Sequence, residues 1–182
     1  MAIKDRASTD GVAPVFGIAD VDNTASLTVT DRGNGVYHST KIEIEDLTLI
    51  TPAGAASLAA GKGIYTFPAG RVLVHSAYID IELSTSGSTV TADTPDLGLG
   101  TTIGTGAVAV LGGTAAFENI MTGQTAADVN ATATTKFLST DLGIETGGDK
   151  TVYLNIADGW AGAEATGVQA NGTVILNWIL NT

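Results

Sequence analysis

The stretch RVLVHSAYIDIEL, Arg71 to Leu83, decides the fold. Leu73, Ala77, Ile79, Ile81 and Leu83 fall on one parity, and Ser76, Tyr78, Asp80 and Glu82 on the other. Alternation with period 2 belongs to a strand with one buried and one wet face. The same reading applies to Thr173–Leu180. There Val174, Leu176, Trp178 and Leu180 alternate with Thr173, Ile175, Asn177 and Ile179. Both faces of that strand carry apolar bulk. It is therefore expected inside a sheet or at an interface, with Ile175 and Ile179 as interface candidates.

Working outward, Leu27 and Val29 share a face in a short strand, and Arg32-Gly33-Asn34-Gly35 reads as a turn, since Asn-Gly accepts positive φ. Val36, Ile42 and Ile44 then share one parity, and Leu47 and Leu49 the other. One extra residue at Glu45-Asp46, a β-bulge, would return them to a single face. Thr51–Gly63 reads as a loop and Ile64–Phe67 as a short strand. Phe67-Pro68-Ala69-Gly70 fits a type I turn. Ala107–Leu111, Gly112-Gly113 and Thr114–Ile120 read as a hairpin, Thr122–Thr135 as loop and Lys136–Leu138 as a strand. Thr151–Ala157 places Val152, Leu154 and Ile156 inward and Tyr153 and Asn155 outward. About eight strands with no alternating helices predict an all-β, antiparallel β-sandwich of the jelly-roll kind over residues 25–182. Residues 1–24 lack a period and read as an N-terminal arm, with Val15, Phe16 and Ile18 as anchoring bulk.

Composition narrows the function classes. The 182 residues carry 19 acids against 8 bases, a formal charge of −11, which repels nucleic acid and anionic membranes. Zero cysteines exclude disulfides, thiolate metal sites and cysteine nucleophiles. The N-terminus has no apolar segment of the signal-peptide kind, and no run is apolar enough for a membrane helix.

The candidate sites are thin. Asp20, Asp22 and Asn23 resemble the start of an EF-hand loop, but Ala25 and Asp31 stand where glycine and glutamate are needed. They remain weak calcium candidates against a solvated acidic turn. His38 and His75 fall on the apolar parity of their strands and could form half a zinc site, or be structural. Glu43 with Glu45, and Asp80 with Glu82, are outward neighbours that read as solvating charges before they read as a glycosidase pair. The glycines between Gly98 and Gly106 lack the lysine and helix of a phosphate loop and read as close-packing positions. Trp160, in a loop between strands, could stack on sugar, anchor a protein partner or plug the sandwich. No catalytic residue, cofactor or firm metal site is expected.

Ile64-Tyr-Thr-Phe-Pro-Ala-Gly70 followed by a long strand, and the closing Asn171-Gly-Thr-Val-Ile-Leu-Asn-Trp178, resemble small virion β-sandwich proteins. Over residues 36–182 the chain is similar to the capsid decoration, or cement, proteins of tailed bacteriophages. The resemblance implies a non-enzymatic virion protein on the outer capsid surface. Such a protein forms a homo-oligomer, expected to be a trimer, binds the major capsid protein and is assembled in the host cytoplasm. A carbohydrate-binding jelly roll, using Trp160 with Tyr65, Tyr78 or Tyr153, is the alternative. A glycan-cleaving enzyme is the third reading.

Overall fold

The computed structural model describes residues 26–33, 36–49, 58–85, 93–113, 116–129, 134–139, 144–147, 150–158 and 167–181. They form ten strands and no helix. These are β1 (Leu27–Gly33), β2 (Tyr37–Leu49), β3 (Ala59–Thr66), β4 (Arg71–Thr85) and β5 (Asp96–Gly100), followed by β6 (Met121–Thr125), β7 (Thr135–Ser139), β8 (Ile144–Gly147), β9 (Thr151–Ala157) and β10 (Val168–Asn181). All pairings are antiparallel. The larger sheet runs β1-β2-β10-β4-β7, with β8 pairing the other end of β4, and the smaller runs β3-β9-β5-β6. With β1 and β8 set aside as additions, the sheets are 2-10-4-7 and 3-9-5-6. That is the strand order of a jelly roll, and it explains why the expected eight strands are ten.

The core lies between the sheets and is filled from both by alternate residues. Ile42, Ile44, Ile79, Ile81, Val174, Leu176 and Trp178 come from the larger sheet, and Leu97, Leu99, Val152 and Leu154 from the smaller. The bulge in β2 stands where the sequence puts it. Leu47 pairs Ala170 and Ile44 pairs Gly172, so Glu45 and Asp46 oppose the single Asn171. Asp46 takes φ 50°, and the Asn171 Oδ1 accepts its N–H at 2.8 Å. Leu47 and Leu49 thereby return to the core.

Several readings are corrected. A second bulge lies in β4: Asn177 pairs Ser76 but Trp178 pairs Val74, leaving His75 as the extra residue. Val72 and Val74 therefore face the core, and Leu73 lies on the outer side with His75, not with Ala77 and Ile79. Strand β3 begins at Ala59, inside the stretch read as loop, because alanine and glycine there give no hydrophobic alternation. The described residues 101–113 and 116–120 form no strands of a hairpin; they are an irregular connection that lies over the outer face of the smaller sheet. Strand β6 takes Thr122–Thr125 out of the stretch read as loop and the four-residue β8 goes unread in the sequence, whereas β7 contains the expected Lys136–Leu138. Of the first hairpin, Asn34 and Gly35 lie outside the described residues, and Val36 is exposed beside them rather than sharing the core with Ile42.

Candidate functional site

The two outer faces of the sandwich are built differently. On the smaller sheet most outward positions are small, namely Ala59, Gly61, Gly98, Gly100 and Ala157, with Asn155 among them and Asp96 and Tyr153 as the larger ones. Small side chains let a backbone lie directly on a sheet. The 101–120 connection does so. Leu111 packs with Ala59 and Ala157, supported by Val108 and Phe117. A Cβ on Gly100 would sit 2.3 Å from the carbonyl carbon of Phe117. Asn155 is fully buried and pins the connection three times. Its Oδ1 accepts Gly104 N–H at 2.7 Å, and its Nδ2 donates to Thr102 O at 3.0 Å and Phe117 O at 2.7 Å. Glu118 does the same from within, accepting the N–H of Gly113 at 2.5 Å and of Gly123 at 2.7 Å. Asp96 accepts Leu111 N–H at 3.1 Å.

Among the described residues, the outer face of the larger sheet carries side chains and no covering segment. Cross-strand register sets them in rows. Tyr37, Ile179 and Leu73 form one row, and Lys41, Ile175, Tyr78 and Leu138 another. Between them runs the polar row of Arg32, Ser39, Asn177 and Ser76, where Asn177 Nδ2 donates to Ser76 Oγ at 2.9 Å. Tyr37 is 62% and Leu138 56% exposed, while Ile175, Ile179, Leu73 and Tyr78 are half-buried. Among the described residues, grooves open on this face, one bordered by Arg32, Lys41, Glu43 and Ile175, another by Arg71, Leu73 and Ile179. A further groove is bordered by both histidines with Arg32, Asn177 and Trp178.

The charges on this face are arranged in pairs and ends. Lys41 Nζ meets Glu43 Oε1 at 2.7 Å, and Lys136 Nζ meets Asp80 Oδ2 at 3.3 Å. The Asp80 carboxyl is held below its ordinary value, first by a hydrogen bond from Thr134; burial opposes this next, and Lys136 and Tyr78 add to the lowering. Arg71 stands at one end of the face, and Glu45 and Glu82 flank Asn171 at the other. The acidic neighbours of the sequence are thus spread along a sheet surface, with two of them in ion pairs.

The histidines do not converge on a metal. His38 is buried and stacks on Trp178, with ring centroids 3.9 Å apart, whereas His75 sits outward at the β4 bulge. Among the described residues no three His, Cys, Asp or Glu side chains come together as a metal site would need. His38 instead joins a buried polar cluster. Its Nδ1 lies 3.4 Å from Asp31, Tyr65 Oη donates to Asp31 Oδ2 at 3.5 Å, and Thr40 Oγ1 donates to Tyr65 Oη at 3.5 Å. Trp178 Nε1 donates to Thr40 Oγ1 at 2.8 Å. Phe67 closes the cluster edge-on to both Tyr65 and Trp178. The reading of the residues missed this group, although Asp31 shares the parity of Leu27 and Val29 and so must turn inward. Tyr65 is fully buried, which removes it from any sugar-stacking platform. The candidates Val15, Phe16, Ile18, Asp20, Asp22, Asn23 and Trp160 lie outside the described residues.

Of the residues singled out, Ile175 and Ile179 lie four residues apart on the central strand of the open face, on either side of Asn177. Among solved structures the chain is similar to one described as a cyanophage Pam1 capsid asymmetric unit. The TM-score is 0.42 and the identity 15%, over 98% of this chain and 100% of that one. No family model matches the chain, and no curated protein sequence matches it.

Proposed function

We propose that this protein is a non-enzymatic structural component of a bacteriophage virion that decorates and stabilises the outer capsid shell. It assembles in the host cytoplasm and sits on the shell as a homotrimer in contact with the major capsid protein. The observation that carries this reading is the open face of the larger sheet. Apolar rows alternate there with polar and ion-paired ones across five strands, with open grooves between them. A broad, gently corrugated surface of mixed polarity suits contact with another protein better than capture of a small molecule. The excess of acids fits many copies at high local concentration, because like charge keeps free subunits apart until they dock.

The test is reconstitution. Undecorated shells of the phage are mixed with purified protein, sedimented and then heated. Saturable co-sedimentation and a raised shell-rupture temperature support the proposal. Protein that stays in the supernatant at all ratios overturns it. Removal of residues 1–20 is expected to weaken shell binding while the sandwich still folds; full occupancy by the truncated chain would remove the arm from the mechanism.

A further inference from the structure

We infer that the open face of the larger sheet pairs with the same face of a second copy about a two-fold axis. The inference rests on the assembly role proposed above and names the surface that would serve it.

The rows of this face fit a copy of themselves. Consider an axis lying across the strands along the Asn177–Ser76 row, between two facing sheets. It sets each row against the row equally far on the other side of Asn177. Tyr37–Ile179–Leu73 then meets Lys41–Ile175–Tyr78 of the second copy, so that Ile179 covers Ile175 and Leu73 covers Tyr78. One row further out, Arg71 of one copy comes opposite Asp80 of the other. Ile179 with Ile175, Leu73 with Tyr78 and Arg71 with Asp80 thus match on both sides of the axis, as an isologous contact requires, while Tyr37 covers Lys41 and Arg32, in the axis row, comes opposite its own copy.

The size is sufficient. Strands β2, β10 and β4 have 13, 14 and 15 residues. At ~3.3 Å per residue and ~4.8 Å between strands, the five-strand face offers on the order of 800 Å², a standard interface for one partner. The opposite face of the sandwich offers no such site, because residues 101–120 already occupy it. A two-fold contact cannot close a trimer. On a decorated shell it joins a subunit of one trimer to a subunit of the next and so ties the trimers into a net.

The chain has no cysteine, so a single introduced thiol reads the geometry cleanly. Packed sheets lie about 10 Å apart, too far for a disulfide but within reach of a short bis-maleimide. Asn177→Cys, on the axis, is expected to give a covalent pair in free protein. Val110→Cys, 63% exposed on the covering connection of the opposite face, is expected to stay single. Ile175→Lys added to Asn177→Cys is expected to cut crosslinking at least tenfold while circular dichroism and thermal midpoint show a folded chain. Sedimentation of the wild type is expected to show an even number of copies at high concentration. A folded Asn177→Cys that does not crosslink where the wild type self-associates overturns the pairing, as does equal crosslinking through Val110→Cys or an odd-numbered assembly unchanged by Ile175→Lys. Because these readouts use free protein, failure of the wild type to bind shells overturns the proposed function and leaves the pairing standing.

Discussion

One sandwich has two outer faces that meet opposite fates. The smaller sheet offers Ala59, Gly61, Gly98, Gly100 and Ala157, and its own chain lies down on it. The larger sheet offers Tyr37, Ile179, Leu73, Ile175, Tyr78 and Leu138, and among the described residues no segment covers it. The difference teaches how a sheet selects its cover. Small outward residues admit backbone, and the polar groups that backbone brings must be answered, which Asn155 and Glu118 do from buried positions. Large outward residues hold backbone away and leave a corrugated surface suited to another side-chain surface.

The covered face is where a single change should be felt most. Asn155→Leu would leave the Gly104 N–H and the carbonyls of Thr102 and Phe117 without their partner in a buried place. We expect a loss of about 3 kcal/mol in urea unfolding, from the cost of stranding buried polar groups. An unchanged midpoint would show that the connection is not pinned through Asn155. Gly100→Val tests the close approach itself. Its Cβ would collide with the Phe117 backbone, and about 2 kcal/mol should go, with faster amide exchange at Gly104 and Gly113. Exchange unaffected there would separate the glycine from the covering.

The open face should respond in the opposite sense. Ile175→Ser is expected to change the stability of the isolated chain by under about 1 kcal/mol, because the side chain is only half-buried. Self-association measured by sedimentation should nonetheless weaken severalfold. A large stability loss with unchanged association would make the face ordinary scaffold. The smallest effect concerns Asp80. Its native carboxyl titrates below the ordinary 3.8, so the ionised form favours the folded chain. That contribution is complete above pH 3.8 and is lost as pH falls through the lower native value. On this largely solvated face, comparison of the wild type with Asp80→Asn between pH 5 and pH 2.5 should show less than about 0.5 kcal/mol of pH-dependent difference. Anything larger would mean that Asp80 is far better shielded than an open face allows.

Alternation made the inner and outer positions of β9 and β10 legible, and the switch of parity between Ile44 and Leu47 located the bulge at Glu45-Asp46. The β4 bulge was hidden because Val72, Leu73 and Val74 are all apolar, so either parity reads as a core face. Strand β3 was hidden because glycine and alanine carry no hydrophobic contrast. Of the candidate site, Ile175 and Ile179 were legible as apolar bulk on the outward parity of a strand whose other parity fills the core. Their neighbours Leu73 and Tyr37 became visible only through cross-strand register.

The sequence by itself determined the class of fold and the inward residues of its longest strands, because a strand's period of 2 is a local property of the backbone. It also determined that the surface would be acidic and free of thiols. The tertiary structure alone decided what rests on each face. Period 2 says which side of a sheet a residue occupies, but not whether chain from far along the sequence returns to that side. Asn155, outward by parity, is fully buried because residues 101–120 come back over it. Ile175, outward by the same rule, stays open because nothing in the described chain does.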